Sequence, residues 1–572
     1  MLPASYPETF DLLVFGSGAG GLMAALVAAE SGLKVCVCER TDKLGGTTAT
    51  SGGTLWVPGT DARDGIDNSG ELDQVRTYLH NEIGDFDADL REAFLQAAPE
   101  AIRFLEERTR LRFIINDPYP DYHTETEGAA KAGRALTPQP FDGRLLGTFF
   151  SRIRPPIREY MVLGGMMVGR NEIPALVRPW RSIASIRTTV RLITRYLVDR
   201  LRYPRGTRLY LGNALVAGLV EALRKYDCTF LFDTALESLL TDDAKVVGAH
   251  VKSGEETRPI LARKGVVVAT GGFSSNLEML KERTGNCVEH SAAFAGDLGH
   301  GVQAAIQIGA AVSNDHRSGA FWMPVSLLHR GKSDVTVYPH IRDRAKPGMI
   351  CVTDEGVRFV NESASYHDVS DAMQEVLEKR AETRFYLICD RAFVWKYGVG
   401  MINPLWQRLS YYIQRQYLIT AKRLDILAAK IAINDENLIS TIARHNEFAK
   451  KGHDVDFGKG STFYNQFNGD KDHSPNPCLG KIETGPFFAV QIYRAPIGTS
   501  VGLQTDIDAR VRSSGGQVIE GLYAAGNDMS SVMRGAYPGP GITLGPHIAF
   551  AYRAAKDAIQ GQSLLNVGDR QL

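Results

Sequence analysis

The sequence lacks long hydrophobic runs and any excess of charge of one sign. No stretch of its 572 residues approaches the roughly 20 consecutive apolar residues that a membrane-spanning helix needs. Sixty-five basic residues balance sixty-five acidic ones, so no global field indicates binding to nucleic acid. We therefore expect neither a membrane-spanning protein nor one that binds nucleic acid.

Cysteine is also scarce. Seven cysteines are scattered and odd in number, which fits a reducing compartment better than a disulfide framework. Cys36 and Cys38 alternate with valines along a predicted strand, where core packing is expected, and we expect no metal site. No Cys-x-x-Cys-His motif for haem attachment occurs. Met1 to Phe10 has neither a basic region nor an apolar run, so we expect no signal peptide and a cytoplasmic location.

A glycine-rich turn between two predicted strands is the strongest motif in the chain. The apolar run Leu12–Phe15 predicts a buried parallel strand, and Leu22–Glu30 is rich in helix formers. Lys34–Cys38 predicts a second strand. A strand, a glycine turn, a helix and a second strand in this order are typical of a dinucleotide-binding domain.

The glycines of this turn have separate physical roles. Gly16 allows a sharp turn, Gly18 lets the backbone approach a pyrophosphate, and Gly21 lets the helix lie close to the strand. The helix N-terminus presents free N–H groups and a positive dipole end to the phosphates. Glu39, roughly 20 residues beyond the glycines, is placed to accept the ribose hydroxyls, which favours an unphosphorylated ribose.

The following segments favour FAD over NAD. Arg40–Gly53 is rich in glycine and hydroxyl side chains, and such a loop suits the ribityl and phosphate groups of a flavin. Two later apolar runs, Val266–Gly272 and Gly521–Asp528, predict strands that complete a flavoprotein dinucleotide domain. The predicted FAD-binding residues are Gly16, Ser17, Gly18, Ala19, Gly20, Gly21, Glu39, Arg40, Gly46, Thr47, Thr48, Ser51, Gly52, Gly53, Ala269, Thr270, Gly271, Gly526, Asn527 and Leu544.

The predicted fold class is α/β. A Rossmann-like FAD-binding domain, residues 1–280 and 481–572, contains an inserted α+β substrate or catalytic domain, residues 281–480. Glu71 to Glu107 has helical periodicity, and the aromatic-rich segment Asn116 to Gly143 is expected to be a functional loop because of its length. Gly356 to Tyr366 reads as a turn and a strand that lead to a loop.

A basic amphipathic insertion occupies about residues 155–210. Arg178 to Arg208 contains nine arginines, no lysine and one acidic residue. Arginines lie on one helical face, and a second face consists of Ile183, Ile186, Val190, Ile193, Leu197 and Leu201. Such a helix commonly lies in a membrane interface, which predicts a peripheral protein on the inner face of the cell membrane. A subunit contact and simple packing on the core are the alternatives.

A proline and glycine-rich segment near the C-terminus predicts an oxyanion site. In Tyr537-Pro538-Gly539-Pro540-Gly541 the prolines have no N–H and a fixed φ, so the run is stiff. Gly541 is expected at the start of a helix that runs to about Ile559, where its N–H is unpaired. That N–H and the Tyr537 hydroxyl can form a two-donor oxyanion site beside the flavin. A glycine-rich cap with a packed tyrosine is the alternative.

Four motifs of the C-terminal half belong together: Asn476-Pro477-Cys478-Leu479-Gly480, Gly498 to Asp506, Gly521 to Asn527, and Tyr537 to Gly541. Their combination resembles the flavoproteins related to fumarate reductase, and the last motif resembles the 3-ketosteroid Δ1-dehydrogenases in particular. The resemblance covers nearly the whole chain except about Pro155 to Arg208. It implies FAD-dependent desaturation of ring A of a 3-ketosteroid, as in steroid degradation.

The resemblance also implies roles for individual residues. Tyr537 and the Gly541 N–H bind the steroid 3-carbonyl, and Tyr366, which follows an Arg-Phe-x-Asn-Glu motif, acts as the base. A tyrosine of the aromatic-rich segment Asn116 to Gly143, called the early loop below, assists Tyr366, and Tyr122 matches that role better than Tyr119. Hydrogen bonds to the carbonyl acidify the C2 proton, Tyr366 removes it, and hydride leaves C1 for the flavin. A phenol titrates near 10, so a hydrogen bond from Tyr122 is expected to lower the pKa of Tyr366.

Other assignments remain open at this stage. A dehydrogenase acting at the 4,5 bond and an enoate reductase of the fumarate type are related enzymes, and Arg534 is a possible carboxylate anchor for the latter. A flavin-binding scaffold protein on the membrane would keep the dinucleotide motifs without needing the tyrosines. An external electron acceptor is required, and a quinone fits a membrane location.

Overall fold

The computed structural model describes residues 8–60, 69–115, 118–169, 172–331, 334–404 and 408–565. Parts of the N-terminal segment, of the aromatic loop and of the basic insertion (residues 1–7, 116–117 and 170–171) lie outside the described residues. The strands are β1 (Glu8–Phe10), β2 (Leu12–Phe15), β3 (Val35–Cys38), β4 (Leu55–Trp56), β5 (Phe113–Ile115), β6 (Ala135–Pro138), β7 (Phe141–Asp142), β8 (Arg208–Leu209), β9 (Cys228–Leu231), β10 (Ala235–Asp242), β11 (Lys245–Ser253), β12 (Glu256–Ala262), β13 (Val266–Val268), β14 (Ala320–His329), β15 (Val335–Pro339), β16 (Met349–Thr353), β17 (Phe385–Asp390), β18 (Ile419–Ala421), β19 (Phe487–Thr499), β20 (Arg510–Arg512) and β21 (Val518–Ala524). The α-helices are α1 (Ala19–Glu30), α2 (Gly46–Thr50), α3 (Ser69–Ile83), α4 (Ala88–Arg108), α5 (Ile173–Val177), α6 (Ile183–Arg200), α7 (Leu211–Leu223), α8 (Leu277–Thr284), α9 (His300–Gln307), α10 (Tyr366–Lys379), α11 (Arg391–Tyr397), α12 (Leu409–Gln414), α13 (Leu424–Ile431), α14 (Asp435–Lys451), α15 (Phe463–Asn468) and α16 (Leu544–Gln560).

A six-stranded sheet in the order β20-β21-β13-β2-β3-β9 forms the dinucleotide-binding core. Its strands from β21 to β9 are parallel, and every residue of β2, β3 and β13 is buried. The four strands predicted for this domain are confirmed, as is the α/β fold class. Helix α1 begins three residues earlier than the sequence indicates, at Ala19, because the small residues of the turn allow the helix to start there.

Two glycines allow the close packing of this turn. Gly16 has φ +98°, and a Cβ on it would lie 2.1 Å from the Ala269 carbonyl oxygen. A Cβ on Gly21 would lie 2.0 Å from the Gly16 carbonyl oxygen. Larger residues at either position would therefore push α1 away from β2 and β13.

A second sheet, in the order β15-β14-β19-β17-β16, is antiparallel and carries α10 against β14. The boundary between the two domains at residue 480 remains a prediction. Strand β19 lies on the C-terminal side of that boundary and pairs with β14 and β17 in the middle of the second sheet.

The helical periodicity of Glu71 to Glu107 is confirmed, and the segment forms two helices, α3 and α4, because the chain turns at Gly84 (φ +85°). Two other local predictions were wrong. Gly356 to Ser365 forms no strand, and Tyr366 is instead the first residue of α10. The last helix begins at Leu544 and not at Gly541, because the φ of Gly541 is +89°.

The basic insertion packs through one face of α6 and exposes the other. Leu192 and Tyr196 are buried, and Asp199 accepts hydrogen bonds from the Thr207 N–H and hydroxyl, both at 2.8 Å. The exposed apolar side chains of the insertion are Leu163, Ile173, Trp180, Ile183, Ile186, Val190, Leu197, Val198 and Leu201. None of the described helices is both long and apolar enough to span a bilayer.

Candidate active site

One continuous cavity joins the glycine-rich turn to the C-terminal tyrosine segment. It is lined by all the predicted FAD-binding residues except Gly21, and by Tyr119, Tyr122, Tyr366, Tyr537 and Gly541. Gly21 instead packs against the turn, which is the role expected for the third glycine. The fold therefore brings the predicted cofactor-binding and catalytic residues to one cavity, although they lie far apart along the chain.

The residues at the dinucleotide end fit an FAD. A Cβ on Gly46, Gly52 or Gly526 would have no protein atom within 4 Å, so the backbone there faces open space that a large ligand can fill. The carboxylate of Glu39 is almost completely buried at the end of β3, and it accepts hydrogen bonds from the Ser17 hydroxyl (2.5 Å) and the Thr41 N–H (3.0 Å).

Hydroxyl groups and buried carboxylates hold the loops of this end together. The Thr48 hydroxyl accepts a hydrogen bond from the Ala19 N–H (3.0 Å), which ties α2 to the start of α1. The Thr47 hydroxyl donates to Asp297 (2.7 Å), and burial raises the pKa of that carboxyl well above its usual range. Asp528 accepts hydrogen bonds from the Thr270 hydroxyl and the Gly272 N–H, both at 3.0 Å, and burial raises its pKa to about 6.

Three tyrosines meet at the other end of the cavity. The ring centroids of Tyr366 and Tyr537 are 5.0 Å apart, those of Tyr122 and Tyr366 are 5.6 Å apart, and those of Tyr122 and Tyr537 are 5.7 Å apart. Tyr119 also lines the cavity, but its ring contacts Phe467 (5.4 Å). Tyr122 is therefore the early-loop tyrosine that contacts both of the other phenols.

The loop that carries Tyr122 is fixed by a buried carboxylate. Asp121 accepts hydrogen bonds from the Trp56 indole N–H (2.8 Å), the Ala130 N–H (2.9 Å) and the Arg134 guanidinium (2.5 Å). The Tyr122 N–H then donates to the Pro538 carbonyl (2.8 Å). The early loop and the Tyr537 segment are thus joined through their backbones.

Helix α10 supplies the second tyrosine and its supports. The Ser365 hydroxyl caps α10 by accepting a hydrogen bond from the Asp368 N–H (3.1 Å), so Tyr366 occupies the first turn, where the helix dipole is positive. His367 accepts a hydrogen bond from the Trp322 N–H (3.1 Å) and donates to the Gly535 carbonyl (3.1 Å). His367 therefore fixes the Tyr537 segment relative to α10.

Gly541 presents a backbone donor to the cavity. Its N–H has no hydrogen-bond partner among the described residues, and its carbonyl accepts from the Trp56 N–H (3.0 Å). A Cβ on Gly541 would lie 2.4 Å from the Thr54 carbonyl oxygen, so no side chain fits there.

The pKa values of the phenols differ from the expectation drawn from the sequence. Burial first, and the neighbouring phenols second, raise the pKa of Tyr366 well above its ordinary value. The predicted lowering by Tyr122 was therefore wrong, because Tyr122 itself contributes to the rise, both electrostatically and through its hydrogen bond with Tyr366. Burial also raises the pKa of Tyr537, to about 12, so this phenol stays protonated and able to donate.

Some residues of the site carried no recognisable signal in the sequence. Tyr464 in α15 packs on Tyr122 with ring centroids 4.8 Å apart, and Phe321 in β14 packs on Tyr537 at 5.4 Å. Arg534, considered above as a carboxylate anchor, is instead paired with Asp87 (2.7 Å) and Asp315 (2.6 Å) and does not line the cavity.

Comparisons with known proteins agree with this geometry. Residues 11–544 match the FAD binding domain family. The chain is 35% identical to a 4-oxocyclohex-2-ene-1-carboxylate 5-dehydrogenase of Sinomonas cyclohexanicum over 96% of this chain and 93% of that protein. It is 33% identical to a 3-oxosteroid 1-dehydrogenase of Mycolicibacterium smegmatis, over 96% and 97%. The crystal structure of a 3-ketosteroid Δ1-dehydrogenase from Sterolibacterium denitrificans in complex with 1,4-androstadiene-3,17-dione is similar with a TM-score of 0.88 at 32% identity, over 97% of this chain and 100% of that one.

These comparisons confirm the predicted relationship and the predicted cofactor, FAD. The family match covers nearly the whole chain, and the 3-oxosteroid 1-dehydrogenases align with it from end to end. This chain belongs to the FAD-binding domain family of flavoprotein oxidoreductases, in the group that includes the 3-oxosteroid 1-dehydrogenases.

Proposed function

We propose that this protein desaturates the C1–C2 bond of 3-ketosteroids, converting a 3-keto-4-ene into a 1,4-diene. The observation that carries the proposal is the contact of Tyr122, Tyr366 and Tyr537 beside the free N–H of Gly541, at one end of a cavity whose other end fits FAD. FAD, when bound, accepts the hydride that leaves C1.

The side chains supply the proton chemistry. The Tyr537 hydroxyl and the Gly541 N–H form the two donors of an oxyanion site, which stabilises negative charge on the 3-carbonyl oxygen and so acidifies the C2 proton. Tyr366 receives that proton as the general base, and Tyr122 holds the Tyr366 ring in position through their ring contact at 5.6 Å. The dipole of α10 favours negative charge on Tyr366 and partly offsets its burial.

The cavity lining favours a large apolar substrate. Its apolar and aromatic lining includes Ile157, Tyr160, Met323, Ile341 and Ile497. Among the described residues that line the cavity, the only guanidinium is that of Arg40, which directly follows Glu39 at the ribose end. A steroid nucleus matches this lining better than a small acid does.

A monocyclic 4-oxo acid is the second candidate, because of the 35% identity to the Sinomonas dehydrogenase. Both reactions remove hydrogen from a ring carbon next to a ketone, so the same oxyanion donors and base serve either substrate. Desaturation at the 4,5 bond of a steroid is a further alternative, and the product distinguishes it from the main proposal.

We also propose that the protein is peripheral on the inner face of the cell membrane, bound through the insertion at Arg178 to Arg208. Trp180, Ile183 and Leu201 are more than four-fifths exposed, and arginines flank this face, as in helices that lie in an anionic interface. Ile157 and Tyr160, which precede Arg178 in the same insertion, also line the cavity, and this supports entry of a steroid from the membrane side. A quinone in the same membrane fits the role of external electron acceptor.

An anaerobic titration of the FAD-loaded protein tests the reaction. We expect a 3-keto-4-ene steroid to bleach the flavin absorbance stoichiometrically and to yield the 1,4-diene. A parallel titration with 4-oxocyclohex-2-ene-1-carboxylate is the comparison. Bleaching by the monocyclic acid alone would replace the steroid proposal with the second candidate, and bleaching by a saturated 3-ketosteroid alone would indicate the 4,5 reaction.

A further inference from the structure

Arg342 lies directly behind the tyrosine end of the cavity. It occupies the turn after β15, next to the cavity-lining residue Ile341. Its guanidinium stacks over the ring of Tyr119 at 5.3 Å and over that of Phe467 at 5.5 Å. Because Tyr119 itself lines the cavity, Arg342 is one side chain removed from the space a substrate would fill.

The acidic groups that face Arg342 are phenols. Among them Tyr119, whose ring lies 5.3 Å from the guanidinium, has the largest electrostatic effect on Arg342, followed by Tyr464 and Tyr122. In the described part of the chain, Arg342 forms no ion pair with a carboxylate within 4 Å, whereas Arg534 is held by two. The positive charge of Arg342 is therefore directed at the tyrosines.

Charged groups from several segments of the chain surround the tyrosine cluster. The titratable and charged groups that pack against it are Tyr119, Tyr122 and His123 from the early loop, Arg342, Asp343 and Arg344 from the turn after β15, Tyr366, His367 and Asp368 from α10, Tyr464 from α15, and Tyr537 from the C-terminal segment. Asp368 is matched by His123 (3.1 Å). Arg344 is buried and donates to the His340 carbonyl (3.0 Å) and the Glu362 carbonyl (2.7 Å), and it interacts electrostatically with Tyr464 first and with Asp343 and Glu362 after it.

We propose that Arg342 is a positioning residue that holds Tyr119 in the cavity wall and supplies the positive charge that favours ionisation of the neighbouring phenols. It acts through Tyr119 and Tyr122 on the base Tyr366, and it does not touch the substrate. The inference rests on the proposed function, because it assigns a charge to the proton-abstraction step.

The consequence for pH dependence has a definite sign. A cation close to a phenol favours the charged form and lowers its pKa, so Arg342 opposes the rise in pKa that burial imposes on Tyr464, whose ring packs on Tyr122 with centroids 4.8 Å apart. Removal of the cation makes the phenols harder to ionise. The rising limb of the rate profile then moves to higher pH, and activity is lost mainly near neutral pH.

The test is the rate of flavin bleaching by a 3-keto-4-ene steroid from about pH 6 to about pH 10 in the FAD-loaded Arg342→Met and Arg342→Lys variants. For Arg342→Met we expect the rising limb to move up by about one pH unit, equivalent to roughly a tenfold loss near neutrality, with recovery in alkali. Arg342→Lys keeps the charge and should restore most of the wild-type profile.

Two results would overturn the inference. A loss of equal size at every pH, shared by both variants, would mean that Arg342 only packs against Tyr119. An unchanged profile in Arg342→Met would mean that its charge does not reach the cluster. A titration of phenolate ultraviolet absorbance, compared between wild type and Arg342→Met, needs no turnover. It would show a raised pKa of the phenols in Arg342→Met even if the steroid were the wrong substrate. A failure of the proposed function is thereby distinguished from a failure of this inference.

Discussion

Tyr537 has the clearest role of any single residue. Its ring is held between Tyr122, Phe321 and His367, with centroids 5.4 to 5.7 Å away, so its hydroxyl is fixed by packing on several sides. Its pKa, raised to about 12, keeps the proton on the oxygen at any physiological pH. Both features suit a hydrogen-bond donor to a developing oxyanion and not a base.

Replacement of Tyr537 by phenylalanine should therefore remove one oxyanion donor while keeping the ring packing. We expect turnover of a 3-ketosteroid to fall about 10² to 10³-fold, as for removal of one donor from other oxyanion sites, with FAD still bound. Stopped-flow bleaching of the flavin measures this. Tyr552→Phe, on α16 outside the cavity lining, is the control, and retained turnover in Tyr537→Phe would withdraw the carbonyl-binding role.

At this scale, the sequence predicted a residue's role best where the residues that act together are also close together in the sequence. The glycines from Gly16 to Gly21 act within one turn, so their spacing, set between a predicted strand and a predicted helix, predicts their function. Tyr366 and Tyr122 lie 244 residues apart in number, and only the resemblance to a family joined them. Tyr464 and Arg342 belong to irregular loops and short elements without periodicity, so nothing in the sequence indicated that they face the same cluster.

At the scale of elements, α6 departs most from an ordinary surface helix. Its buried face is short, with Leu192, Tyr196 and Asp199 as its buried residues, whereas the predicted apolar stripe points outward. Exposed apolar area of this extent in one helix normally marks an interaction surface. The sequence predicted the stripe from its spacing, but the exposure was set by the packing of α6 on its neighbours.

The double variant Trp180→Ser, Ile183→Ser should weaken binding to anionic lipid vesicles. Each side chain contributes about 1.5 to 3 kcal/mol when fully buried in an apolar phase, so we expect at least a tenfold lower vesicle affinity. FAD content and turnover of solubilised steroid should stay unchanged. Co-sedimentation with vesicles is the measurement.

Ile439→Ser is the matched control, because Ile439 is an exposed apolar residue of α14, far from the insertion in sequence. Vesicle binding equal to wild type in the double variant would contradict the membrane proposal. If that variant also lost self-association in gel filtration, the insertion would be a subunit contact.

At the scale of the whole molecule, His123 connects segments that lie far apart in the sequence. It pairs with Glu82 on α3 (2.6 Å) and with Asp368 on α10 (3.1 Å), and it directly follows Tyr122. Segments from three distant parts of the chain are thereby joined next to the tyrosine cluster. Although burial opposes its charge, the two carboxylates raise the pKa of His123 to about 10.

The pairing of His123 makes stability depend on pH in a predictable direction. A histidine whose folded pKa is raised stabilises the folded state fully below its ordinary pKa of about 6.5, and the contribution disappears as the pH rises to about 10. His123→Gln should therefore lower the thermal midpoint most near pH 6. The expected loss in the free energy of unfolding is roughly 1 to 2 kcal/mol, because the pairs of His123 with Glu82 and Asp368 are partly exposed.

The difference between His123→Gln and wild type should then shrink steadily toward pH 10, measured by thermal unfolding of the FAD-loaded proteins. His80→Gln is the control, because His80 pairs with Asp85 at a far more exposed position and should change the midpoint little at any pH. A deficit in His123→Gln that stayed constant from neutral to alkaline pH would mean that the ring packs in this position without its charge. The connection between the early loop and α10 would then rest on the backbone contact of Tyr122 with Pro538 and on the hydrogen bond of His367 with Gly535.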